Sequence, residues 1–159
     1  LKTSTLAATS LAVAAAAVTG SVANAKAAPS WYARLRKPPY QPPNVAFPVA
    51  WTSLYTDIAV TSAEAIDRLR AAGREDEARR YAAALGVNLV LNAGWSWLFF
   101  GFHKLGASAV GAAVLTASSA DLARRAAQAD ARAGLALSAY PLWCSFATVL
   151  ATHVWRLNR

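Results

Sequence analysis

Cysteine, histidine and acidic residues are all scarce in this chain. A single cysteine, Cys144, excludes a disulfide framework within one copy and any CxxC or Cys/His zinc site. The two histidines, His103 and His153, are too far apart in sequence to act as a paired ligand set. Charged residues are only 15% of the 159, while 56% are hydrophobic, which excludes a disordered chain. No GxSxG, HExxH, Walker A or GxGxxG motif occurs, so the common hydrolase, zinc-protease and nucleotide-binding chemistries have no foothold.

What is present is alanine, forty residues of it, spread through long uncharged stretches. Sixteen Lys/Arg against eight Asp/Glu leave a net charge of +8. The basic residues form short clusters between apolar runs, so they read as membrane-flanking charges and not as a nucleic-acid surface.

A helix crossing a bilayer needs ~20 mostly apolar residues. Five stretches meet that demand, at about 5–25, 45–69, 81–102, 105–122 and 133–157. The expected fold is therefore all-α, a single membrane domain built as a bundle of five transmembrane helices. The first stretch has no charge until Lys26. A connector at 26–44 follows as a lid, and six prolines between Pro29 and Pro48 disfavour helix before them, so its segment PPYQPP reads as extended or turn-like. In the second stretch Asp57, Glu64 and Asp67 are costly at bilayer depth, although Glu64 and Arg68 can pair one turn apart. Gly73 marks a turn before the third stretch. The fourth is rich in small residues, with Gly106, Ala109, Gly111 and Ala113 suited to close helix association. Trp31, Tyr32, Tyr81 and Trp155 lie near helix ends, where an interfacial aromatic belt is expected.

Two other readings fit parts of this pattern. Lys2, the Ala-rich run and Ala23-Asn24-Ala25 also resemble a secretory signal with its cleavage site. A soluble Ala-rich bundle would share the composition, but would show a polar stripe on each helix, which the first, third and fifth stretches lack centrally. Orientation is undecided, with nine basic residues on one side of five spans and seven on the other.

The chemistry concentrates on helix faces. Asn88, Asn92, Trp95 and Phe99 share one face of the third stretch, where the carboxamides serve either as helix-to-helix glue or as the polar part of a cavity. Trp51 and Tyr55 stand one turn apart on the second stretch, and Tyr140, Trp143 and Ala147 share a face of the fifth. If these faces converge, they form an aromatic pocket for a flat, largely apolar molecule. His153 reads either as an interfacial polar group or as a haem ligand, and Cys144 as a small buried hydrophobe.

The run WYARLRKPPYQPPNVAFPVAWTSLY resembles the signature of the tryptophan-rich sensory protein family, also called the translocator protein or peripheral benzodiazepine receptor family. The match falls at Trp31, Tyr32, Leu35, Lys37, Pro38, Pro42, Pro43, Phe47, Trp51, Leu54 and Tyr55. It continues through Asn92, Trp95, Phe99, Phe100 and Gly101, then Tyr140 and Trp143, over about 130 residues. The resemblance implies a retained first helix, a five-helix bundle commonly found as a homodimer, and a pocket opening toward the Pro-rich connector. It implies a membrane receptor or carrier for porphyrins such as protoporphyrin IX and haem, with a sensory or tetrapyrrole-regulatory role and no obligatory cofactor. Sterol-like or benzodiazepine-type ligands are implied for some members, and the setting is a multi-pass protein of a bacterial cell membrane.

By the same resemblance, the ligand-binding residues are Tyr32, Pro42, Trp51, Tyr55, Asn92, Trp95 and Trp143, with Arg34, Arg36 or Lys37 meeting propionates at the mouth. Light-dependent porphyrin degradation, with Trp51 and Trp143 as the reacting indoles, and a transport or structural role without a tight ligand are the alternatives. Two departures stand out. The family's Pro-Tyr pair is Ala139-Tyr140 here with a proline at Pro141, which shifts the expected kink by one residue. Leu150-Ala151-Thr152 replaces the Leu-Asn-Tyr of sterol-responsive members, removing the aromatic centre of that motif.

Overall fold

Long apolar stretches with few helix breakers fold as helices because, in lipid, each backbone polar group must be satisfied within its own segment. The computed structural model describes residues 1–26 and 29–159, so residues 27 and 28 of the expected connector lie outside the described residues. The elements in order are α1 (Thr3–Lys26), α2 (Pro29–Arg34), α3 (Ala46–Ala71), α4 (Glu75–Ser96), a π turn (Trp97–Gly101), α5 (Leu105–Ala129), α6 (Ala131–Leu137) and α7 (Ala139–Asn158).

Among the described residues, four segments have the length and apolarity to cross a membrane: Thr3–Ala25, Glu75–Gly101, Leu105–Ala129 and Ala131–Asn158. Helix α3 is equally long, but its second half, TSAEAIDRLRA, is too charged to meet the same standard. The outward surfaces are apolar, with Leu142 70% and Val90 73% exposed. This removes the soluble-bundle reading, which requires polar exteriors.

Several helix ends depart from expectation. Helix α4 starts at Glu75 because Glu75, Asp76 and Glu77 complement the positive end of its dipole. Helix α5 runs on to Ala129, supported by Asp121 bonding to both Arg124 (2.7 Å) and Arg125 (2.8 Å) one turn later. The fifth expected helix is interrupted at Ser138, three residues before the anticipated kink. Pro141 sits in the first turn of α7, where its missing N–H removes no helical bond. Within the connector the segment PPYQPP is non-helical, as expected, and a short helix α2 before it presents Trp31 and Tyr32.

The acids of α3 find local or neighbouring partners. Asp67 accepts bonds from the Lys2 backbone N–H and the Thr5 hydroxyl, both 2.7 Å, at the start of α1. Glu64 pairs with Arg68 at 3.1 Å, and Asp57 accepts from the Thr61 hydroxyl at 2.8 Å. Helix α1 packs on α3 and α4, burying Val13, Ala16 and Ala23, so the signal-like segment forms part of the bundle wall.

Helix α5 packs on α4, α6 and α7. At the charged end, α6 folds back on α5 so closely that a Cβ at Gly134 would stand 2.7 Å from the Ala127 Cα. Gly73, with φ of 75°, makes the expected turn between α3 and α4. Of the small residues of α5, Gly106 packs on the Trp155 indole, Ala109 is buried and a Cβ at Gly111 would stand 3.4 Å from Leu98, while Ala113 is exposed. Tyr81 is not an interfacial residue. It is fully buried, its hydroxyl 2.9 Å from that of Ser62.

Candidate functional site

Toward the connector end, the helices part around a cavity of about 830 Å³. Its walls come from α1, α3, α4 with the π turn, α5 and α7, and the connector closes over it. Such a volume lies in the upper part of the range of ~300–1,000 Å³ usual for small-molecule sites.

Aromatic rings dominate the lining. Trp51 of α3 meets Trp143 of α7 edge-to-face, with ring centroids 6.4 Å apart, and leans on Tyr55 at 5.5 Å. From α4, Trp95 stacks on Phe99 at 5.4 Å. The π turn brings the consecutive rings Phe99 and Phe100 both to the wall, where they touch at 4.8 Å. Phe47 and Phe146 flank Trp143 at 6.0 and 5.5 Å.

At the inner end, polar groups form a directional relay. The Tyr55 hydroxyl donates to Asn92 Oδ1 (3.1 Å), and Asn92 Nδ2 donates to the Tyr140 hydroxyl (3.0 Å). Tyr140 in turn donates to Asn88 Oδ1 (2.8 Å), and Asn88 Nδ2 donates to Ser118 Oγ (3.1 Å). Asn92 is only 3% exposed, so its carboxamide ties α3, α4 and α7 together while one edge touches the cavity. The helix-to-helix role thus belongs to both carboxamides, with tyrosine and serine hydroxyls as partners instead of backbone. The Trp95 indole is likewise engaged, donating to the Ser108 carbonyl at 3.0 Å.

Among the described residues, two buried side-chain atoms of lining residues have no partner: the Trp143 indole N–H and Gln41 Oε1. A buried donor or acceptor left unmade costs roughly 1–3 kcal/mol, and with almost no accessible surface neither atom is open to the cavity in this arrangement.

The connector is latched at several points. Trp31 stacks on His103 at 3.7 Å, and the Tyr40 hydroxyl lies 2.9 Å from His153 Nδ1. Asn158 bonds to both the N–H and the carbonyl of Arg36, each at 2.8 Å. Gln41 Nε2 donates to the Tyr32 hydroxyl at 3.0 Å. Burial raises the Tyr32 phenol above its ordinary value, against the opposing pull of that hydrogen bond, so it stays protonated at neutral pH.

Of the residues singled out in the sequence, Tyr32, Trp51, Tyr55, Asn92, Trp95, Trp143 and Lys37 line the cavity. Pro42 is not part of the lining, and Arg34 and Arg36 are exposed on the outside of the connector. Lys37 reaches the cavity, but its ammonium donates to the Tyr32 carbonyl (2.7 Å) and the Leu35 carbonyl (3.3 Å). Both histidines hold the connector and neither lines the cavity, so they offer no axial ligand there. Sequence reasoning missed Gln41, Phe146 and the α1 wall at Gly20, Ser21 and Asn24. Phe146, one turn beyond Trp143, was legible from spacing. The α1 wall shows no such signal.

The chain matches the model of the TspO/MBR family over residues 8–156. It is 32% identical to Protein CrtK of Rhodobacter capsulatus over 149 residues, covering 93% of this chain and 89% of that one. Against the tryptophan-rich sensory protein of Cereibacter sphaeroides the identity is 32%, covering 80% and 77%. The translocator protein of Ovis aries is 30% identical, over 81% and 75%. With four apolar helices of spanning length and a family match over most of its residues, the chain is a multi-pass membrane protein that belongs to the TspO/MBR family.

Proposed function

We propose that this protein is a membrane receptor or carrier that takes a porphyrin, such as protoporphyrin IX, into the aromatic cavity, with a sensory or tetrapyrrole-regulatory role. The observation that carries the reading is the meeting of Trp51, Trp95 and Trp143, from three helices, around one hollow of about 830 Å³. Flat conjugated rings bind such walls by stacking and edge contacts. The hydroxyl of Tyr55 and the carboxamide of Asn92, both of lining residues, are read as the polar groups that orient the guest's edge. Haem is expected to bind through its macrocycle, since no imidazole reaches the cavity. Sterol-like and benzodiazepine-type molecules compete for the same walls in this reading.

Helix α3 is read here as a fifth span whose charged half emerges beyond the hydrocarbon, in a bacterial cell membrane. A homodimer belongs to the same reading, for which the outward Leu11 and Val18, seven apart on one face of α1, are available. The test is titration of the detergent-purified protein with protoporphyrin IX in darkness, followed by tryptophan fluorescence and porphyrin absorbance. Saturable quenching that weakens in both Trp51→Phe and Trp143→Ala is expected, and unchanged titrations in both variants overturn the reading.

A second reading, light-dependent porphyrin breakdown, is favoured by the Trp51–Trp143 contact, which puts two oxidisable indoles beside any guest. Illumination after the dark titration separates the two. Loss of porphyrin absorbance that depends on Trp143 supports breakdown, and a stable spectrum supports reception alone.

A further inference from the structure

The end opposite the connector has its own concavity, of about 620 Å³, between α4 and α5. Four arginines line it, Arg74 and Arg80 with Arg124 and Arg125, against one acid, Glu77. Elsewhere at this end Arg70 pairs with Glu75, Arg79 with Asp76, and Arg68 with Glu64 and Asp130, while Arg132 has no ion pair among the described residues. Within the concavity the matching fails. Arg74 is paired with Glu77, but Arg124 and Arg125 share the single carboxylate of Asp121. Arg80 has no ion pair or hydrogen bond among the described residues. An excess of positive charge therefore gathers in one recess.

The surroundings define what would neutralise it. Seven residues along α4 from Arg80, on the same face, is Val87, 59% exposed. On α5, Ala117 and Val110 stand seven and fourteen residues before Arg124 on its face, with Val110 66% exposed. Both strips belong to segments of membrane-spanning length. A guanidinium recess at the head of two outward apolar strips has the pattern of a phospholipid: phosphate oxygens above, acyl chains below. Guanidinium forks suit phosphate bidentately, and basic recesses between spanning helices favour anionic headgroups.

We propose that this recess is a binding site for an anionic phospholipid, its phosphate held by Arg80, Arg124 and Arg125 and its acyl chains lying along the α4–α5 seam. The site is separate from the aromatic cavity and does not depend on the porphyrin reading.

The test uses the full chain in a neutral detergent, with binding followed by thermal melting during titration with phosphatidylglycerol, phosphatidylcholine or inorganic phosphate at matched ionic strength. Phosphatidylglycerol is expected to raise the melting temperature saturably, and the other two are not. Arg80→Gln, which breaks no internal contact, is expected to weaken phosphatidylglycerol binding about five-fold, as for one basic side chain at an anionic surface. Arg124→Gln with Arg125→Gln should weaken it further. Equal effects of phosphatidylcholine, or titrations unchanged in Arg80→Gln, overturn the proposal. Saturation by inorganic phosphate at the same concentration would replace the lipid with a free anion and overturn it equally.

Discussion

The two ends of this bundle are held together by different physics. At the charged end, close backbone approach and the Arg68–Asp130 ion pair clamp the helices, with Gly134 against Ala127 and Leu69, Leu122 and Leu137 almost wholly buried. At the connector end, the helices meet through aromatic edges and a few hydrogen bonds, and the cavity occupies the remaining space. A cavity in a small membrane bundle thus arises where one end is packed tightly enough to let the other stay apart. Stability should therefore reside at the first end and ligand response at the second.

The sharpest way to break that division is to overfill the clamp. Gly134→Leu has no space beside the Ala127 backbone and should cost about 3 kcal/mol, seen as a lowered melting temperature in detergent. Next comes Tyr140→Phe, which strands the Asn92 amide and the Asn88 carbonyl in a buried relay. A loss of about 2 kcal/mol by the same melting measurement is expected.

A smaller effect, confined to the other end, is expected from Trp143→Phe. It removes an unpartnered N–H and part of the stacking surface, so protoporphyrin affinity should fall by about 1 kcal/mol, roughly five-fold, without loss of melting temperature. The smallest effect on affinity belongs to Asn158→Ala. Deleting its two bonds to the Arg36 backbone weakens the latch by about 1 kcal/mol, so stopped-flow measurements should show faster binding and faster release with little change in their ratio. If Trp143→Phe lowered the melting temperature as much as Gly134→Leu, the two ends would not be separable.

Much of this architecture is written in local pattern. Helix positions follow from uncharged run length, and Trp51 with Tyr55, or Asn92 with Trp95, share a face because helical spacing requires it. The acids of α3 were harder to place from sequence, because two of their partners, Lys2 and Thr5, lie more than sixty residues away in the chain. The roles of the carboxamides were open for the same reason. Whether Asn92 faces a guest or a neighbouring helix depends on how α3 and α7 rotate toward α4, and Tyr55 and Tyr140 settle it from 37 and 48 residues away. Arg34 and Arg36 looked equivalent to Lys37 as mouth cations. The one-turn rotation of the short α2 and the Asn158 latch turn them outward.

The direction of the relay has a consequence for what can lie against it. Because Tyr55 gives its hydrogen to Asn92, the side of that phenol left toward the void carries lone pairs. The deepest polar point of the chamber is thus electron-rich. On the porphyrin reading proposed above, it would favour a pyrrole-type N–H and disfavour a carboxylate, so such a guest would enter ring first, its acid groups trailing toward water.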